Sequence, residues 1–67
     1  MIILEFNTRE HTLDATFFDE SPQYYENVMT IKYFEGFYEV LQKQSNGKNA
    51  PLFRVPLSST VIKYTHE

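Results

Sequence analysis

The stretch YFEGFYEV, residues 33–40, reads nearly the same from either end: two aromatics, Glu-Gly, two aromatics. Glycine accepts the left-handed backbone of a tight turn at no steric cost, so Glu35-Gly36 between alternating residues marks a β-hairpin. A two-residue turn there sets Phe34 opposite Phe37, Tyr33 opposite Tyr38, Lys32 opposite Glu39 and Ile31 opposite Val40. Downstream, Asn46-Gly47 is the strongest short hairpin signal, and a type I′ turn at this dipeptide sets a second register. It pairs Leu41 with Leu52, Val40 with Phe53, Glu39 with Arg54 and Tyr38 with Val55. The two registers come from separate turns, and they agree. One face collects Ile31, Tyr33, Tyr38, Val40, Phe53 and Val55, which reads as core. The other aligns Lys32, Glu39 and Arg54 as a cation–anion–cation row, the pattern of a solvated sheet face. Each such cross-strand pair contributes roughly 0.2–1 kcal/mol. Glu35 would need positive φ in a type I′ turn, which a residue with a side chain resists. A three-residue loop avoids that strain but sets Ile31 opposite Glu39 and undoes the row, so the two-residue register is preferred.

The same alternation organises both ends of the chain. Ile2, Leu4 and Phe6 share one face, as do Leu13, Ala15 and Phe17. A loop over Thr8, Arg9, Glu10 and His11 pairs Phe6 with Leu13, Leu4 with Ala15 and Ile2 with Phe17. A slip by one residue would turn the apolar face to water. The cost of this register is Glu5 opposite Asp14, where like charges repel. Residues 27–34 read as a strand rich in β-branched and aromatic residues, and 20–26 as a connection with room for one helical turn. Ser21-Pro22 also fits a helix start, so a short helix over 21–31 is the alternative. Pro51 and Pro56 bracket the strand LFRV, since proline cannot donate into a central ladder. For the last strand, TVIKYT, a tight Ser58-Ser59 turn would set Lys63 against Arg54. The expectation is that it swings away after Pro56 and pairs elsewhere, the N-terminal strand being one place it could close, with its partner left open by the sequence.

The fold expected is a single all-β domain over residues 1–67: an antiparallel meander of about six short strands, forming a curled sheet or partly open barrel. The alternative is α+β, with the 21–31 helix laid on the sheet. A chain of 67 residues without cysteine has no disulfide or thiolate metal site to support it. One core of this size supplies only about 3–5 kcal/mol net, so tight packing or self-association must make up the difference. Aromatics form 16% of the chain, which lets few, large side chains fill the core. No stretch approaches the roughly 18 apolar residues of a membrane span, and the start lacks the basic n-region of a signal peptide. A cytoplasmic protein without membrane attachment is the expectation.

Few constellations suggest chemistry. Glu5 and Asp14 could split their protonation as an acid–base pair, but two acids on an exposed face read first as a solvated pair kept for its register. Asp19, Glu20 and Glu26 show no calcium-loop spacing, and only His11 and His66 could offer imidazole. No G-x-S-x-G elbow surrounds Ser58, Ser59 or Thr60, and Gly36 and Gly47 are both explained as turns. These readings imply no catalytic residue, no metal and no cofactor.

Charge is uneven within a net −3. Residues 1–39 hold eight carboxylates against Arg9 and Lys32; residues 40–67 hold Lys43, Lys48, Arg54 and Lys63 against Glu67. Such a division either neutralises within one monomer or makes a two-signed surface that docks head to tail or meets a charged partner. The function expected is a non-enzymatic protein–protein interaction or regulatory module that self-associates. Its candidate contacts are Tyr24 and Tyr25, beside Ser21-Pro22, and the Phe34–Phe37 pair. The first alternative is an acidic nucleic-acid mimic that inhibits a nucleic-acid enzyme through Glu10, Asp14, Asp19, Glu20 and Glu26. The second is a single-strand binder using the basic half. Net negative charge argues against nucleic acid as a partner, as does alternation that points Phe53 and Arg54 to opposite faces.

Overall fold

A computed structural model describes residues 1–65 and consists of two sheets. The strands are β1 (Ile2–Asn7), β2 (Thr12–Phe17), β3 (Gln23–Tyr25), β4 (Val28–Phe34), β5 (Phe37–Lys43), β6 (Asn49–Pro56) and β7 (Thr60–Thr65). The first sheet runs β3-β2-β1-β7 and the second β4-β5-β6, so the fold is all-β with no closed barrel. A 3-10 turn at Leu57–Ser59 is the only helical element among the described residues, and no helix there is long and apolar enough to cross a membrane. The helix considered over 21–31 does not form. Alternation wins there: Tyr25 pairs with Leu13 and Asp14 with Tyr24, making a seventh, three-residue strand.

The N-terminal hairpin has the expected register, from Ile2 opposite Phe17 to Asn7 opposite Thr12. Its loop is organised by Asn7, whose Oδ1 accepts from the backbone N–H of Arg9 and Glu10, both at 3.0 Å. The last strand crosses into the first sheet. After the 3-10 turn β7 pairs parallel to β1, with Ile2 opposite Thr60 and Glu5 opposite Lys63. Glu5 therefore has Asp14 on one side and a lysine on the other, which offsets the repulsion the hairpin creates.

Both turns of the second sheet differ from type I′. Gly36 has φ +90°, while Glu35 is not among the residues of positive φ, the pattern of a type II turn. The two-residue register thus stands without strain at Glu35: Phe34 faces Phe37 and Lys32 faces Glu39. At the other turn the Gly47 N–H donates to the Gln44 carbonyl at 3.0 Å and the Gln44 N–H to the Lys48 carbonyl at 2.8 Å. With Gly47 at φ +83° this is a three-residue loop closed by a left-handed glycine. The longer loop shifts the pairing by one, so Leu41 faces Pro51 and not Leu52. A bulge between Leu41 and Val40 then restores Val40 opposite Phe53 and Glu39 opposite Arg54. The bulge absorbs Leu52, a usual way for one strand to carry an extra residue.

The sheets meet through their apolar faces. Ile2, Leu4, Phe6, Leu13 and Ala15 from the first pack with Val28, Val40 and Val55 from the second. Phe17, Tyr25, Ile31, Tyr38, Leu52, Phe53 and Ile62 complete the cluster; Phe53 meets Phe17 at 5.4 Å and Tyr25 at 5.6 Å between ring centroids. Backbone bonds stitch the corner where the chain passes between sheets: Val28 N–H to the His11 carbonyl at 2.9 Å and Lys43 N–H to the Asn27 carbonyl at 2.8 Å. Both accepting residues have left-handed backbones, which turn the chain sharply enough to present those carbonyls.

Two substitutions test this account. Leu4→Ala should cost about 2–5 kcal/mol, most of the stability of a domain this size, and leave the protein largely unfolded by circular dichroism at 25 °C. Gly47→Ala meets no atom within 4 Å, so its cost should be the left-handed backbone alone, about 1–2 kcal/mol in urea denaturation.

Candidate interaction surface

The outer face of the second sheet is built from three cross-strand rows. Phe34, Phe37 and Pro56 form the first, Lys32, Glu39 and Arg54 the second, and Thr30, Leu41 and Pro51 the third. The rings of Phe34 and Phe37 stack with centroids 5.0 Å apart and planes 12° apart. Such a pair contributes about 0.5–1.5 kcal/mol beyond its buried area. Arg54 lies over the Phe37 ring at 5.1 Å and donates from Nε to Glu39 Oε2 at 2.7 Å. Two restraints from different directions fix its guanidinium, while the side chain stays 64% exposed.

This face is not the evenly solvated one that its charges suggest. Glu39 is buried at 7% exposure, as is Leu41 beside it. The cause is position: β5 is the middle strand, so Glu39 has Lys32 and Arg54 across from it and Phe37 and Leu41 two residues away on its own strand. Long and aromatic neighbours cover the carboxylate, and the Arg54 bond offsets the cost of taking a charge from water. The carboxylate sits under the surface while the two cations face out.

The aromatic residues divide differently from expectation. Phe34 remains 39% exposed and Phe37 is half-buried, both on the outer face. Tyr33 lies on the inner face by alternation, yet it is 67% exposed and does not join the core. It sits next to the hairpin tip, where the facing sheet no longer covers it, and touches Tyr38 at 5.9 Å. Tyr24 is exposed at 60%, next to Asp14 on the outer face of the first sheet. Tyr25 turns inward onto Phe53, its hydroxyl donating to Gln23 Oε1 at 2.6 Å. Of the two tyrosines, one seals the edge of the core and one is available.

The five acidic candidates do not converge. Glu10 lies in the β1–β2 loop and Glu26 beside the same end of the sheet, Asp14 mid-strand on the outer face, and Asp19 and Glu20 beyond the far end of β2. Among the described residues no three His, Asp or Glu side chains come together as a metal-binding group, and no pocket is enclosed. His66 lies outside the described residues. Compared with known proteins, the chain matches no family model, no curated protein and no solved structure.

Two surface features were not singled out from the sequence. Arg54 belongs to the charge row by alternation, and its stacking on Phe37 makes it part of the aromatic patch as well. Phe18 is 63% exposed at φ +55°. Its signal was the Phe17-Phe18 doublet, because consecutive strand residues cannot both face the core.

Removing the arginine exposes the dependence of Glu39 upon it. Arg54→Ala should destabilise the fold by about 1–3 kcal/mol in urea, since it strands a buried acceptor. Arg54→Ala combined with Glu39→Leu should recover most of that loss.

Proposed function

We propose that this protein is a small non-enzymatic protein–protein interaction module that associates with further copies of itself through the outer face of β4-β5-β6. The observation that carries the reading is the Phe34–Phe37–Arg54 assembly. An exposed aromatic stack beside a guanidinium held by a buried carboxylate and a ring has lost its rotamer freedom before any partner arrives. Contacts made by such groups avoid the ordering cost of about 0.5–1.5 kcal/mol per mobile side chain. Aromatic residues and arginine are also the types enriched at interface centres. The small core supports self-association independently, because subunit contacts stabilise a domain that has no disulfide. A chain without cysteine suits a reducing, cytoplasmic setting.

Tyr24 is a second contact within the same reading, being exposed on a sheet whose other strands leave it uncovered. Tyr25 contributes by holding the β3 edge closed. The reading as a nucleic-acid mimic has less support, because Glu10, Asp14, Asp19, Glu20 and Glu26 are spread over both ends and one face of the first sheet.

Sedimentation velocity across a concentration series tests the proposal. Wild-type protein should show concentration-dependent association near neutral pH. Phe34→Ser should weaken it at least about tenfold, the effect of losing a central apolar anchor. A wild-type protein that stays monomeric up to about 0.5 mM, far above the Kd of specific complexes, would overturn the reading.

A further inference from the structure

The β2–β3 loop carries a feature that does nothing for the monomer's core. Phe18 has φ +55°, a region that a bulky side chain enters at a cost of roughly 1–2 kcal/mol. The ring is nevertheless 63% exposed, next to Met1 at 68%. The loop is held rather than loose. The Phe18 N–H donates to the Met1 carbonyl at 2.9 Å and the Glu20 N–H to the Phe17 carbonyl at 3.0 Å. Two exposed carboxylates, Asp19 and Glu20, follow the ring directly. The chain therefore keeps a strained backbone whose result is an apolar knob with two negative charges at its side. Backbone strain of this kind is concentrated at functional positions.

The outer face of the second sheet has the complementary composition: two phenylalanines and a proline beside the exposed cations Lys32 and Arg54. Arg54 uses Nε for Glu39, and its terminal amino groups have no partner among the described residues. They are suited to a carboxylate, which a guanidinium fork can bind through two parallel bonds. Glu39 lies beneath the surface, so an approaching partner meets the cations before the buried anion; Glu35 is exposed in the turn that joins Phe34 to Phe37, at the end of the patch away from Arg54's row. Knob and patch belong to different sheets, and the patch faces away from the sheet that bears the knob. They can meet only between molecules.

Resting on the self-association reading above, we propose that the occupant of the patch is the Phe18-Asp19-Glu20 loop of a second copy. The Phe18 ring docks on the Phe34–Phe37 stack, and the carboxylates pair with Lys32 and Arg54. Such a contact is heterologous, so each copy offers one knob and one patch and the assembly grows head to tail unless it closes as a ring.

Reciprocal variants test the pairing. The patch variant carries Lys32→Glu and Phe34→Ser, leaving the Arg54–Glu39 pair intact to support the sheet. The loop variant carries Phe18→Gly and Asp19→Lys, with glycine suited to the left-handed backbone. Each variant alone should associate at least about tenfold more weakly than wild type, as expected for loss of an apolar anchor with a charge reversal. Mixed in equal amounts, they should form a one-to-one heterodimer and nothing larger, because only one intact knob and one intact patch remain. Asp19→Lys alone, at an exposed loop position that leaves the core untouched, should weaken wild-type association by about fivefold, with the effect fading near 0.5 M salt. A loop variant that associates like wild type while the patch variant is monomeric would overturn the loop as occupant and leave the patch as interface. A wild type that is itself monomeric would overturn both. A mixture in which both folded variants stay monomeric would overturn the pairing of knob with patch.

Discussion

The inner face of β1 is the constraint on which the fold depends. Ile2, Leu4 and Phe6 are at most 4% exposed, and β1 is paired on both sides, antiparallel to β2 and parallel to β7. A strand fully paired in the plane of its sheet can cover its apolar side chains only from above. The second sheet does this, placing Val28, Val40 and Val55 against them. The hydrophobic gain, about 25 cal/mol per Å² of apolar surface removed from water, is collected only if both sheets form together. This couples the two hairpins of the second sheet to the N-terminal hairpin, although the sequence between them contains only a three-residue strand and two sharp turns.

That closure has a consequence for the outside. With three strands, the second sheet has one central strand, and β5 is covered on both faces: Val40 within the core, Glu39 and Leu41 beneath their own neighbours. Isolated ionised carboxylates are costly to bury, and Glu39 is tolerated because Arg54 meets it at 2.7 Å from the adjacent strand. The same bond holds Arg54 over Phe37. A residue that satisfies an electrostatic need of the sheet thereby fixes the chemistry of its surface, joining stability to the proposed docking function.

Much of this was legible from local pattern. The N-terminal register, the YFEGFYEV hairpin and the pairing of Glu39 with Arg54 all follow from period-two alternation combined with turn position, because a one-residue slip would expose an entire apolar face. Legibility failed where two solutions share the same alternation. Asn46-Gly47 served a three-residue loop, and the bulge at Leu52 cancelled the shift, so the downstream pairs matched while Leu41 met Pro51. Tyr33 carried the core-face parity of its strand but lay beyond the reach of the opposite sheet. Parity gives direction; coverage depends on what stands opposite.

The sequence by itself determined the strand alternation and which residues share a face, since these depend on neighbours a few positions away, while the choice between an all-β fold and a helix over 21–31 waited for the pairing of β3 with β2. Only the tertiary structure decided that the last strand joins β1 in parallel, that Tyr25 turns inward while Tyr24 does not, and that Glu39 is buried on an outer face. Each of those depends on contacts between residues distant in the chain, whose competition is settled by packing the two sheets together. The two phenylalanines at the YFEGFYEV turn show both contributions. Their pairing came from the turn, and their place beside a fixed arginine came from β6.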